Sequence, residues 1–386
     1  MTSLDSRLAV VLDVGTTTIR VVVFDHTLAE VFSRQNEVKT LHPQAGWAEQ
    51  DPRTILKTCR ELLVEARAFV GSRSSTLGIT NQRESVVAWD RSTGKPLSQL
   101  ILWSDKRTEA YCNELKQRGY EQLIRSKTGL LLTPYSSAPK AHWLLEQPEV
   151  RACPSLAIGT LDSWIIFSLT GNFLTDYTNA SRTMLFNIQT RTWDQELLDI
   201  FEVDKSLLPP VQPSRSNFGS YTSLDSQEPI QVLQAVIGDQ QASMYAAGTM
   251  PGTTKITYGT GIFPMRIVGN TFQLKDNYLT TLAIGPSGDP TYALEGKVEN
   301  AAPRVSAVYG INQPAFDKLM IELAHEAAPV IDDLVDANSV VYVDGGISQN
   351  DDILAEQEKL NHVTLRRHST HNGSALGVAK LLFSGE

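Results

Sequence analysis

Apolar residues near the start of the chain cluster in β-branched runs. Leu8-Ala-Val-Val-Leu-Asp13 and Ile19-Arg-Val-Val-Val-Phe24 flank the turn-forming interval Val14-Gly15-Thr16-Thr17-Thr18, which predicts a β-hairpin. A third strand is expected around Ala29 to Val38. At Asp51-Pro52 the Asp suits an N-cap and the Pro suits a first helical position. From there Ile55, Cys59, Leu62, Leu63, Ala66 and Val70 recur at three- and four-residue steps, predicting a helix with one face on a sheet, ended by Gly71. Strands at Leu77 to Thr80 and Val86 to Trp89 then suggest a mixed sheet covered by helices. Helical patterns return at Arg107 to Arg118, Ala138 to Leu145 and Thr160 to Leu169.

A short helical run, Ala242 to Ala247, follows Gly238-Asp239-Gln240-Gln241, and Gly248 and Pro251-Gly252 mark a break. The expected domains are therefore residues 1–248 and 249–386. Beyond the break, Thr254 to Tyr258 and Phe263 to Val268 are again strands, joined by Gly259-Thr260-Gly261, so the two halves begin alike. Such a repeat suits two related domains facing each other across a cleft. Strands near Leu279 to Ile284 and Tyr292 to Leu294, a long helix from Pro314 to Leu334, a buried strand at Val340 to Val343 and closing helices complete the pattern.

Composition narrows the class. With 386 residues and 41% hydrophobic positions the chain can bury sizeable cores, and 34 Lys+Arg against 43 Asp+Glu leave no basic footprint for nucleic acid. Cys59, Cys112 and Cys153 lie far apart and outside metal-ligand spacing, which argues for reduced thiols. The longest apolar runs are strand-sized and the N-terminus lacks a leader pattern. A cytoplasmic protein without membrane contact is expected.

Three polar segments carry candidate chemistry. The Gly15-Thr16-Thr17-Thr18 turn is either an ordinary β-turn or a phosphate loop, with Arg20 adding a cation and Asp13 suited to hold Mg²⁺ through water. Asp239 either caps a helix or acts as the general base that phosphoryl transfer to an alcohol requires. Asn81-Gln82-Arg83-Glu84 is either a solvated strand end or a set of donors and acceptors for polyol hydroxyls. Asp105-Lys106-Arg107 reads as a solvated helix start, His368 and His371 as exposed polar residues, and most of the six Trp as packing residues.

Leu12-Asp13-Val14-Gly15-Thr16-Thr17, Gly78 to Glu84, the run Thr175 to Asn187, Gly238-Asp239-Gln240-Gln241 and Tyr258-Gly259-Thr260-Gly261 together resemble the glycerol kinase branch of the FGGY carbohydrate kinases. The resemblance is close from Leu8 to Gly296, and the run ending at Asn187 is its most specific part. It implies an α/β fold of two actin-like, ribonuclease-H-like domains around a central cleft, and MgATP-dependent phosphorylation of glycerol. By the same resemblance, Arg83, Glu84, Trp103, Tyr135, Asp239, Gln240 and Phe263 form the glycerol site, with Asp239 as catalytic base. Asp13 is implied at the Mg²⁺, and Thr16, Thr17, Thr18 and Arg20 at the first phosphate loop. Thr260 is implied at the second loop, and Gly346 and Asn350 at the adenosine segment.

After Gly296 the sequence departs from the family. The interval between Tyr292 to Glu295 and Val341 to Gly346 is shorter, Ala302 stands in place of a nucleotide-contacting Gly, and Ser306 in place of a Gln. A shortened second domain would leave apolar surface, which a homo-oligomer can cover. It also keeps a second reading open, a glycerol- or polyol-binding pseudokinase that has lost nucleotide binding. The family's sugar-phosphate regulatory loop is not found in Tyr221 to Ile230.

Overall fold

In the computed structural model, which describes residues 7–222, 229–259, 261–299, 301–370 and 372–384, Leu8–Val14 and Thr18–Phe24 form the expected hairpin, running from Ala9 opposite Phe24 to Val14 opposite Ile19. Glu30–Glu37 adds antiparallel to its outer strand. On the other side Ser75–Asn81 pairs parallel with Leu8–Val14, and Pro229–Gly238 pairs parallel with Ser75–Asn81. Ser220–Thr222 closes this edge.

The helix Pro52–Val70 starts as expected, with the Asp51 carboxylate accepting from the Arg53 amide, and Gly71 ends it at φ +61°. Its face of Ile55, Cys59, Leu62, Leu63, Ala66 and Val70 joins the core built from the central strands. A second, smaller sheet carries Glu49–Gln50, Leu100–Ile101, Val86–Asp90, Lys95–Pro96 and Leu156–Thr160.

The same five-strand arrangement recurs in the second half. Thr254–Tyr258 pairs antiparallel with Ile262–Gly269, which pairs antiparallel with Pro290–Glu295. On the far side, Val340–Asp344 and then Thr364–Arg367 add in parallel. The extra strand Leu279–Ile284 extends the edge. Helices Gln313–Asp332 and Asp351–Asn361 cover this sheet through Met320, Leu323, Ala327, Ile331 and Ile353.

These elements form two compact units, Gln240–Gly377 and the remainder of the chain. The change of unit therefore lies at Asp239/Gln240, ahead of the expected position after residue 248. Packing explains the difference: Met244, in the helix Asp239–Ala247, belongs to a core with Met265, Ile267, Ala283 and Ala293. The chain from Val378 onward returns to the first unit, where any side chain at Gly78 would run into Val378. Among the described residues no helix is long and apolar enough to cross a membrane.

Candidate functional site

Glu84 sits at φ +63°, and the Ser85 amide donates to the Arg83 carbonyl at 2.8 Å. This is a tight γ-turn, a conformation that a non-glycine residue holds only when its surroundings enforce it. Enforcement comes from burial and charge. Glu84 is 2% exposed, and its Oε1 accepts from Arg182 Nε at 2.6 Å while Ser137 Oγ donates to its carbonyl. Arg83, 3% exposed, places Nε 3.4 Å from Asp239 Oδ1 and 3.9 Å from Glu84 Oε1. The solvated-strand-end reading of Asn81 to Glu84 is thereby excluded, because all four residues are buried.

The run Thr175 to Asn187 supplies the scaffold. Asp176 accepts from the hydroxyls of Thr178 and Ser214, both at 2.6 Å, and from Asn179 Nδ2 at 2.8 Å. Asn179 and Asn81 exchange side-chain hydrogen bonds across 98 residues of sequence. The Gly238 amide donates to Thr178 Oγ1 at 2.8 Å, which fixes the chain one residue before Asp239. Asp239 is the first residue of its helix, its side chain 32% exposed beside the buried Arg83. A partly exposed carboxylate beside a buried guanidinium can meet an incoming hydroxyl.

The aromatic wall is wired to the first hairpin. Trp103 Nε1 donates to Thr16 Oγ1 at 2.9 Å, and that hydroxyl donates to Gln82 Oε1 at 3.2 Å. Gln50 Nε2 donates to the Thr16 carbonyl, and Gln82 Nε2 to Gln50 Oε1. The Trp103 and Tyr135 rings lie 5.3 Å apart. Tyr135 is held from behind by Lys140, fully buried, whose Nζ donates to the carbonyls of Tyr135 at 2.6 Å and Ser136 at 3.0 Å. Burial pushes the Lys140 ammonium down to about 7, against the opposing pull of Glu84 and Asp105.

Asp13 lies one residue before the end of the first strand, with Arg20 and Thr80 as its register partners. A single carboxylate at this point fits a Mg²⁺ held through water, and among the described residues no group of three or more His, Cys, Asp or Glu could hold a metal outright. In the Gly15 to Thr18 turn the Gly15 amide donates to the Thr18 carbonyl, and Thr17 is exposed at the tip. Arg20 directs its guanidinium to Gln35 Oε1 on the neighbouring strand, at 2.7 and 2.9 Å.

In the second unit, Phe263 stands opposite Thr257 in the hairpin and is buried. Gln240 accepts from Lys255 Nζ, which also donates to Thr257 Oγ1; Thr257 donates in turn to Asp344 Oδ1. Gly345, at φ +88°, lies so close to the Tyr258 carbonyl that no side chain fits. This packs the Asp344-Gly345-Gly346 loop against the end of the strand Thr254–Tyr258. Gly346 is exposed at the start of a 3₁₀ turn, and Asn350 caps the following helix by accepting from the Ile353 amide. Thr260 lies outside the described residues.

Several residues depart from the sequence reading. The Asp105-Lys106-Arg107 segment is no solvated helix start: the Arg107 side chain is 1% exposed and pairs with Glu49 and Asp105 at 2.7 Å. Its guanidinium lies 3.7 Å from the Trp47 ring and 4.6 Å from the Trp143 ring. His368 stacks on Tyr342 at 4.9 Å, while His371 lies outside the described residues. Arg182, Lys140 and Lys255 escaped notice as site residues; the one signal available was that Arg182 lies within the Thr175 to Asn187 run.

Comparison with known proteins places this geometry. The model of the FGGY family of carbohydrate kinases, N-terminal domain, matches residues 8–244. The chain is 43% identical over 306 residues to a glycerol kinase of Vibrio cholerae serotype O1, a match covering 76% of this chain and 60% of the relative, so the chain spans only about 60% of the length of that curated relative. A glycerol kinase of Shewanella baltica is 34% identical over 447 aligned residues, covering 98% of this chain and 90% of the relative. That alignment is longer than the chain, so the relative holds residues where this chain has none. The crystal structure of Plasmodium falciparum glycerol kinase with ADP superimposes with a TM-score of 0.87 at 27% identity, covering 98% of this chain and 90% of that one. A gluconate kinase from Lactobacillus acidophilus, TM-score 0.81 at 19% identity, shares the fold. The five-strand arrangement shared by the two large sheets, the buried Arg83 to Glu84 turn and these matches converge: the chain belongs to the FGGY family of carbohydrate kinases.

Proposed function

We propose that this protein transfers the γ-phosphoryl group of ATP to a terminal hydroxyl of glycerol, yielding glycerol 3-phosphate and ADP. The observation that carries the reading is the pairing of a partly exposed Asp239 with a buried Arg83, next to a Glu84 held in a strained turn. Arg83 donates to, and Glu84 accepts from, the polyol hydroxyls, while Trp103, Tyr135 and Phe263 cover its carbon edge; Gln240 adds a further polar contact. Asp239 takes the proton of the attacking hydroxyl as the oxygen bonds to the γ-phosphorus and the bond to the β-bridging oxygen breaks. Mg²⁺, when bound, neutralises phosphate charge, and Asp13 would hold it through water. Backbone and hydroxyls of Thr16, Thr17 and Thr18, with Arg20, serve the phosphates on one side; Thr260, Gly346 and Asn350 serve the nucleotide on the other.

The Shewanella comparison favours one alternative. A chain that lacks residues the relative holds suits a polyol-binding protein without nucleotide affinity. Titrating the protein with MgATP and glycerol, separately and together, and assaying glycerol 3-phosphate decides between them. The kinase reading expects turnover and binding of each ligand that strengthens the other. Glycerol binding without nucleotide binding or turnover rejects it in favour of the alternative.

A further inference from the structure

We infer that Asp176 is a positioning residue for the proposed reaction, holding the base Asp239 through Thr178 and the Arg83 to Glu84 turn through Asn179. The inference rests on the kinase reading above and adds the residue that sets the proton acceptor relative to the polyol groups.

Gly238 and Asn81 are register partners at the adjoining ends of the parallel strands Pro229–Gly238 and Ser75–Asn81. From Gly238 the chain enters the helix Asp239–Ala247 with no residue between, and from Asn81 it runs through Gln82 to Arg83. The ladder ends here, so the polar groups that follow need partners from elsewhere. The short helix Tyr177–Ala180 supplies both strands at once. Thr178 Oγ1 accepts from the Gly238 amide at 2.8 Å, and Asn179 Oδ1 accepts from Asn81 Nδ2 at 2.9 Å. All three side chains, Thr178, Asn179 and Asn81, are buried.

Both arms end on one carboxylate. Asn81 Nδ2 also donates to the Gln82 carbonyl, which can only accept, so the Asn81 amide presents N–H to Asn179. Asn179 answers with its oxygen and turns its own Nδ2 to Asp176 Oδ1 at 2.8 Å. The single proton of the Thr178 hydroxyl goes to Asp176 Oδ2 at 2.6 Å, which leaves a lone pair facing Gly238. The backbone amides of Thr178 and Asn179 donate to Oδ2 and Oδ1, each at 2.9 Å, and Ser214 Oγ donates to Oδ2. Because each oxygen meets a backbone N–H, an asparagine here would set its own N–H against a donor on one arm or the other.

The arms act on different quantities. A shift of about 1 Å at a reacting group can cost about 100-fold in rate, so loosening the Gly238 arm moves the base and is read in kcat. Loosening the Asn81 arm moves the residues that bind polyol and is read in the glycerol KM.

Steady-state kinetics on the full chain at saturating MgATP test this. Thr178→Val keeps the shape and removes the hydroxyl; kcat is expected to fall about 10- to 100-fold with the glycerol KM within about threefold of wild type. Thr178→Ser restores the hydroxyl and should recover kcat to within about threefold. In an Asp239→Asn background Thr178→Val should cost little more, because the arm acts through Asp239. Asp176→Asn should lower kcat and raise the glycerol KM together. Unchanged kcat in Thr178→Val, or a loss that adds in full to that of Asp239→Asn, overturns the inference and leaves the kinase reading standing; absence of turnover in the wild type overturns both. Should Thr178→Val not fold, Asp176→Asn decides by the same kcat measurement with and without Asp239→Asn.

Discussion

Arg182 Nε donates to Glu84 Oε1 at 2.6 Å, joining two residues 98 positions apart, each no more than 2% exposed. Buried pairs of this kind set position more than they add stability, because desolvating both charges offsets most of their attraction. Removing one partner is a different matter, since the other stays buried and uncompensated. Arg182→Ala is therefore expected to lower unfolding free energy by about 3–5 kcal/mol, read by urea denaturation. A loss below about 1 kcal/mol would show that Glu84 finds water or another donor.

Asp239→Asn keeps the size of the side chain and the start of its helix but removes the proton acceptor. The expected result is a fall in kcat of about 10²–10⁴ with glycerol affinity within a few-fold of wild type, measured by steady-state kinetics and calorimetry. Equal loss of both would make Asp239 a binding residue instead.

Lys140 gives the protein a pH signature. Its folded-state value of about 7 lies below that of the unfolded chain, so between about pH 7 and pH 10 the unfolded state binds the extra proton. Stability contributed at this position is lowest below pH 7, where both states are charged, and rises with pH through that window. The free-energy difference between wild type and Lys140→Met should shift in favour of wild type by up to roughly 1 kcal/mol per pH unit there. A difference that stays flat from pH 7 to pH 10 would mean that Lys140 remains charged in the fold.

Gly345→Ala probes the loop proposed to serve the nucleotide. The substitution combines a left-handed backbone with a collision against the Tyr258 carbonyl, so strain of about 1–3 kcal/mol is expected in the second unit, together with weaker MgATP binding. Thermal melting and nucleotide titration check it; unaltered affinity would separate this loop from the nucleotide.

How far the sequence could be read depended on where the deciding partner lay. The first hairpin, the Asp51-Pro52 helix start and the Gly71 stop were legible because a cap, a period and a turn are all local. The strand Pro229–Gly238 was not, because its place beside Ser75–Asn81 is set some 150 residues away and Gln231 and Gln234 blur its alternation. Asn81 to Glu84 stayed ambiguous until Arg182 and Asn179 closed over them. Lys140, Lys255 and Arg107 look like surface residues in any one-dimensional reading. Their burial rests on carbonyls, hydroxyls and indole rings that only folding delivers.

The Thr16 hydroxyl bonds to the Trp103 indole and to Gln82 at once. A phosphate that draws Thr16 towards itself must loosen or retune the indole's hydrogen bond, and a polyol pressing on Trp103 must tug at the turn. If the turn takes the nucleotide as proposed, the tryptophan is a built-in optical gauge: in a variant whose other five Trp are replaced by Phe, emission should shift when nucleotide arrives, before any alcohol is present, and an emission that stays silent would count against a phosphate at Thr16.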